Sequence, residues 1–181
     1  DKYNLYLDGL RIYTTIDSRM QKNAEDAVAE HMKKLQAEFF HQNTPDRNKT
    51  APFIEEVPGE IDGIMERAIK SSHRWHNLKD QGRNEKEIRA SFNEPVEMTV
   101  FDWNSDTKEK DTVMAPMDSI RYYKSFLKTA MMSMEPQTGH VKAWVGGIDY
   151  KHFQYDNVIQ GSMQVGSTFK PFVYAAAIDQ L

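Results

Sequence analysis

The 181-residue sequence predicts an α+β chain, and three observations carry that reading. Residues 129–145 have the composition of an antiparallel hairpin closed by a proline- and glycine-containing turn. The segment from Ser167 to Leu181 reads as a helix that is apolar on every side, the pattern of a buried helix. Between a long first helix and the hairpin lies a stretch of mixed helix and strand, set off by prolines.

Taken in order, Leu10 to Ile16 alternates and is β-branched, so it reads as a strand. Ser18 stands three residues before Gln21, the spacing of a capping box. Met20, Ala24, Ala27, Val28, Leu35 and Phe39 follow at helical intervals, predicting an amphipathic helix over about 18–40. Residues 41–60 are polar and broken by Pro45, Pro52 and Pro58, as in a loop or linker. Ile61, Ile64, Met65, Ala68 and Ile69 mark a short second helix, and the charged stretch 71–91 is expected to be helical in part. Residues 96–103 and 112–114 form a second hairpin about the turn Asn104-Ser105-Asp106. Ile120, Tyr123, Phe126 and Leu127 suggest a helix capped by Asp118 or Ser119. Strand 129–134, turn 135–139 and strand 141–145 then lead through Gly146-Gly147 into an extended loop over 150–163.

The chain therefore divides into 1–40, a first strand and helix, 41–128, an α/β insert, and 129–181, a hairpin and a terminal helix. The 39% apolar and 28% charged content is ordinary for a globular protein. A net charge of -4 argues against nucleic acid as a partner. No apolar run reaches the roughly 20 residues that cross a bilayer, so any membrane attachment is expected through a segment outside this chain. Cysteine is absent, which excludes disulfides, thiolate zinc sites and a cysteine nucleophile, and suits an oxidising compartment. The start at Asp1 and the end at Leu181, inside an apolar helical pattern, suggest a piece of a longer protein.

A serine three residues before a lysine is an acyl-transfer pair, because on a helix the two side chains share a face. Serine needs a base to become a nucleophile, and lysine serves only when uncharged. Three pairs have this spacing: Ser105/Lys108, Ser125/Lys128 and Ser167/Lys170. Ser105 falls in a polar turn, and Ser125 falls late in its helix, where the negative dipole end holds a proton on the amine. Ser167 follows Gly166 and precedes Pro171, a residue tolerated only near a helix start. There the positive dipole end favours an alkoxide and disfavours an ammonium, and an apolar helix behind it would desolvate Lys170. On these grounds alone, a helix-cap serine with a surface lysine stands level with a catalytic pair.

The stretch Gln164 to Phe172, reading Gln-Val-Gly-Ser-Thr-Phe-Lys-Pro-Phe, resembles the nucleophile motif of class A penicillin-binding proteins. Leu10 to Asp17, then Met134 to Gly139, then Val145-Gly146-Gly147 match the same family in the same order. Met163 departs from the family, which often carries arginine before the glutamine. The resemblance implies a serine penicillin-recognising transpeptidase fold, here partial, with the hairpin packed on a buried nucleophile helix. It implies a D,D-transpeptidase that cross-links peptidoglycan stem peptides through an acyl-enzyme on Ser167, with Lys170 as general base and β-lactams acylating the same serine. No cofactor or metal is implied. The family's Ser-x-Asn and Lys-Thr/Ser-Gly motifs would follow Leu181, so this fragment is expected to be inactive alone. Ser91-Phe92-Asn93 and Lys128-Thr129-Ala130 copy their spelling but precede Ser167. A glycosyltransferase domain and a membrane anchor would precede Asp1, placing the whole protein on the periplasmic side of the bacterial inner membrane, with other cell-wall synthesis proteins as partners. Two alternatives are a serine β-lactamase or β-lactam sensor of the same superfamily, and a non-catalytic interaction module whose surface is the insert.

Among the remaining features, His73-x-x-His76 lacks a third metal ligand at fitting spacing and reads as a solvated pair. The methionines sit mostly at core spacing, Trp144 reads as core, and Tyr150, Phe153 and Tyr155 read as loop packing rather than a substrate groove.

Overall fold

The computed structural model describes Asn4 and residues 7–180. Asp1 and Leu181, which bound the expected first and last segments, lie outside the described residues.

Helix α1, Ser18–Gln42, is the spine of the molecule. Its cap is Asp17, whose carboxylate accepts from the Arg19 and Met20 amides, so the expected Ser18–Gln21 box does not form. Gln21 is committed elsewhere: its side-chain amide donates to the Trp144 carbonyl and accepts from the Trp144 N–H. One face of α1, with Ala24, Val28, Met32 and Gln36 at intervals of four, is turned inward. The stretch 10–16 is extended but forms no strand ladder. Among the described residues it is tied through Thr15 Oγ1 donating to the Val141 carbonyl, and the following Asp17 N–H donates to the Lys142 carbonyl. Ile12 and Tyr13 are exposed, so alternation there buries no face.

The middle of the chain folds as three short helices, a hairpin and a fourth helix. Helices α2, Glu60–Ser71, α3, His73–Asp80, and α4, Glu85–Ser91, enclose a cluster of Ile69, Trp75, Ile88 and Phe92. Ser72 caps α3, and Asn84 with Glu87 forms a complete capping box on α4. Strands β1, Val96–Phe101, and β2, Glu109–Met114, pair antiparallel from Val96↔Met114 to Phe101↔Glu109. Helix α5, Pro116–Lys124, starts earlier than expected: Pro116 opens it behind Ala115, and neither Asp118 nor Ser119 caps it. Because α5 ends at Lys124, Phe126 is free to enter the main core with Met32, Phe101, Trp103 and Ile148. Phe101 meets Trp103, Phe126 and Phe153 edge-on at centroid distances of 5.0, 5.2 and 5.2 Å.

Strands β3, Met131–Met134, and β4, Val141–Val145, form the second hairpin. Gly139 takes a left-handed φ of 72° in its turn, and the register shifts between Ser133 and Met134. Ala143 and Val145 pack on Ala24 and Val28 of α1, so α1 covers this hairpin. Met131, Met132 and Met134 of β3 are exposed, against the expectation that the methionines lie mostly in the core. Met32 and Met65 do lie there.

The chain then runs through loop 146–165 to a 3-10 turn, Gly166–Phe169, and helix α6, Lys170–Asp179. The expectation of a buried nucleophile helix packed on the hairpin is not met. Phe172 is 67% exposed and Ile178 is 74% exposed, and Val173 and Tyr174 are open as well. The inner face of β4 is already filled by α1, and no element among the described residues lies over α6. No helix among them is long and apolar enough to cross a membrane.

Candidate active site

Ser167 and Lys170 are brought to successive turns at the start of α6. The Lys170 N–H donates to the Ser167 carbonyl, so the pair spans one 3-10 turn that feeds directly into the α-helix. Gly166, at φ 53°, turns the chain into that helix, and Pro171 occupies its first turn. No side chain caps the turn; Thr168 Oγ1 donates back to the Val165 carbonyl. Both members of the pair are exposed.

The competing pairs are occupied structurally. Ser105 lies in the β1–β2 turn against Thr107 Oγ1, and Lys108, at φ 57°, extends over the Trp103 ring. Ser125 Oγ donates to the Tyr122 carbonyl at the end of α5, and Lys128 sits 5.2 Å from the centre of the Tyr155 ring. Phe92, inside the Ser91-Phe92-Asn93 look-alike, is a core residue at the end of α4. Among the described residues no group of three or more His, Asp or Glu side chains is arranged to hold a metal.

The loop leading to the pair is anchored where it leaves β4. Trp144 Nε1 donates to Asp156 Oδ2, and Asp156 Oδ1 accepts from the Val158 amide. The Asn157 backbone and side-chain N–H groups both donate to the Gly146 carbonyl. A Cβ on Gly146 would come within 2.7 Å of Asp156 Oδ1, which is the steric reason for glycine at that position. Trp144, expected as core, is thus half-buried with a polar role. Tyr150, Phe153 and Tyr155, expected as loop packing, all line a cleft of about 420 Å³ between α1, β4 and this loop, and Phe153 also packs against the main core. Neither Ser167 nor Lys170 lines that cleft. The sequence reading missed the clasp, and the Gly146-Gly147 pair was its one visible sign.

Residues 48–127 match the family described as penicillin-binding protein middle domain, and residues 129–180 match the penicillin binding protein transpeptidase domain. The second match contains Ser167, Lys170 and both strands of the second hairpin. The chain is 25% identical to penicillin-binding protein 1A of Escherichia coli K12 over 97% of its length, covering 23% of that protein. It is 23% identical to penicillin-binding protein 1A of Vibrio cholerae, again over 97% of its length and covering 25% of the relative. The protein of that name from Neisseria gonorrhoeae is 44% identical over 30% of this chain and 7% of its own. No solved structure matches. The chain thus carries a segment matching the penicillin-binding protein middle domain followed directly by one matching the transpeptidase domain. Over most of its length it is homologous to class A penicillin-binding proteins 1A, and it spans about a quarter of the E. coli and V. cholerae relatives.

Proposed function

We propose that the whole protein carrying this chain is a peptidoglycan D,D-transpeptidase with Ser167 as nucleophile and Lys170 as general base. The observation that carries the reading is the Ser167/Lys170 pair at the opening of α6, inside the segment matching the transpeptidase family. Uncharged Lys170 would take the hydroxyl proton as Ser167 Oγ attacks the carbonyl of the penultimate D-alanine of a stem peptide. The terminal D-alanine leaves as the amine, its nitrogen taking that proton back from Lys170, and an ester remains on Ser167. An amine of a neighbouring stem then attacks that ester, forming the cross-link and returning a proton to the serine oxygen. A β-lactam would enter the same first step and stop at the ester.

The exposure of α6 bears directly on this chemistry. A helix start lowers the cost of an alkoxide, but an amine kept in water stays protonated. The whole protein would therefore have to lay further structure over α6 to make Lys170 a base, and we propose that the remainder of the transpeptidase domain does so. In this division, residues 1–40 and 129–181 are parts of one catalytic domain and 41–128 is inserted between them. The protein would act on the periplasmic side of the inner membrane, anchored by a segment outside this chain.

Labelled penicillin should mark the whole protein, and the mark should vanish in Ser167→Ala. Lys170→Arg, which keeps the charge but cannot give up its proton, should cut labelling at least 100-fold. Undiminished labelling of Ser167→Ala would overturn the assignment. Turnover of the β-lactam, in place of a lasting adduct, would mark a β-lactamase.

A further inference from the structure

The imidazole of His152 joins the two family segments at a point neither the motifs nor the proposed chemistry uses. It belongs to the loop between β4 and Ser167, yet both ring nitrogens face residues of the middle segment. Nε2 lies 2.9 Å from Glu109 Oε1, at the start of β2, and Nδ1 lies 3.2 Å from the Tyr123 hydroxyl on α5. The side chain of His152 is only 11% exposed. Lys151 Nζ, 2.6 Å from the same carboxylate oxygen, and then His152 hold the Glu109 carboxyl below its ordinary value, so it stays ionised.

With the ring neutral, the partners fix how the hydrogens are placed. A carboxylate only accepts, so Nε2 carries the hydrogen. In the neutral ring Nδ1 is then the acceptor, and the Tyr123 hydroxyl donates to it. The Tyr123 oxygen in turn accepts from the Phe101 amide at 3.2 Å, at the last residue of β1. The chain of bonds therefore runs from the Phe101 amide through Tyr123 and His152 to Glu109, with every member satisfied and both ends on the β1–β2 hairpin. Phe153, the next residue, enters the core against Phe101 and Phe126, which seats the same loop on the same hairpin by packing.

We propose that His152 is a latch, held in the Nε2–H form, that fastens the loop leading to Ser167 onto the β1–β2 hairpin of the middle segment. A displacement of that hairpin is then passed to the loop, because Glu109, Tyr123 and the ring move as one bonded unit. The latch stands independently of the role of Ser167.

Nitrogen-15 spectra of the full chain at pH 8 should show His152 with a hydrogen on Nε2 and a bare, hydrogen-bonded Nδ1. Hydrogen exchange should then be followed at the Phe153 and Asn157 amides, which close the loop onto Asp149 and Gly146. In Tyr123→Phe, which keeps the aromatic packing, exchange at both amides should quicken about 10-fold or more, and likewise in Glu109→Ala, which removes the acceptor of Nε2. The α3–α4 amides, in a separate core, should not change. The combined variant should quicken exchange by less than the product of the two single effects, since either change already opens the latch. A ring with its hydrogen on Nδ1, or loop exchange unmoved in both single variants, would overturn the proposal.

Discussion

Gln36 sits almost fully buried on α1 and does work that an apolar residue could not. Its side-chain oxygen accepts from the Leu127 amide at 2.8 Å and its nitrogen donates to the Ser125 carbonyl at 2.9 Å, closing the chain where α5 ends. Gln36→Leu should fill the space but strand both backbone groups, lowering stability by about 3 kcal/mol in urea unfolding. Glu66 makes a different kind of contact, at the surface. The two Arg89 nitrogens bind its two oxygens at 2.6 and 2.7 Å, and Lys70 adds a third partner. Arg89 first, then Lys70, pulls the carboxyl down to about 2 from an unfolded value of 4.5. A depressed carboxyl stabilises above its unfolded value and loses that contribution as pH falls through its folded value. The stability gap between the native chain and Glu66→Gln should therefore be full above pH 5 and close between about pH 4.5 and pH 2, as denaturant titrations at each pH would register. Neither residue was legible as a partner in the sequence, because Gln36 acts across 89 positions and Arg89 reaches Glu66 across 23.

At the scale of elements, periodicity carried most of the reading. Apolar spacing located α1, α2 and both hairpins, because one buried face leaves a regular trace in the residues that form it. Caps were less legible, since several oxygen-bearing residues compete at each helix start. At α1 the carboxylate of Asp17 displaces Ser18, and Gln21 is drawn away to Trp144. Asp17→Ala should then lower the melting midpoint, whereas Ser18→Ala should change it little. That contrast, read by thermal unfolding of the two variants, reverses if the capping box were the working cap. The stretch 10–16 looked like a strand because it alternates, yet alternation does not supply a neighbour. Thr15 and the following Asp17 bond to β4, without a ladder.

At the scale of the molecule, the two family segments share a core. Met32 of α1, Phe101 of β1, Phe126 after α5 and Phe153 after β4 meet in one aromatic cluster, so the middle segment is not a separate bead. The latch at His152 adds polar bonds to that packing. Sequence motifs could point to Ser167 and Lys170 because the pair is local, three residues apart within one matched stretch. They could not show the surroundings of the pair, which depend on what lies over α6. The helix is apolar on all sides and open on all sides in this chain, and the proposed covering of α6 rests on that mismatch.

Peptide mapping of the whole protein after reaction with benzylpenicillin tests the central claim most directly. A single adduct, one drug mass on the peptide containing Ser167 and on no other serine, is the predicted result. An adduct confined to a different residue, or a fully folded protein that takes up none, would contradict the account.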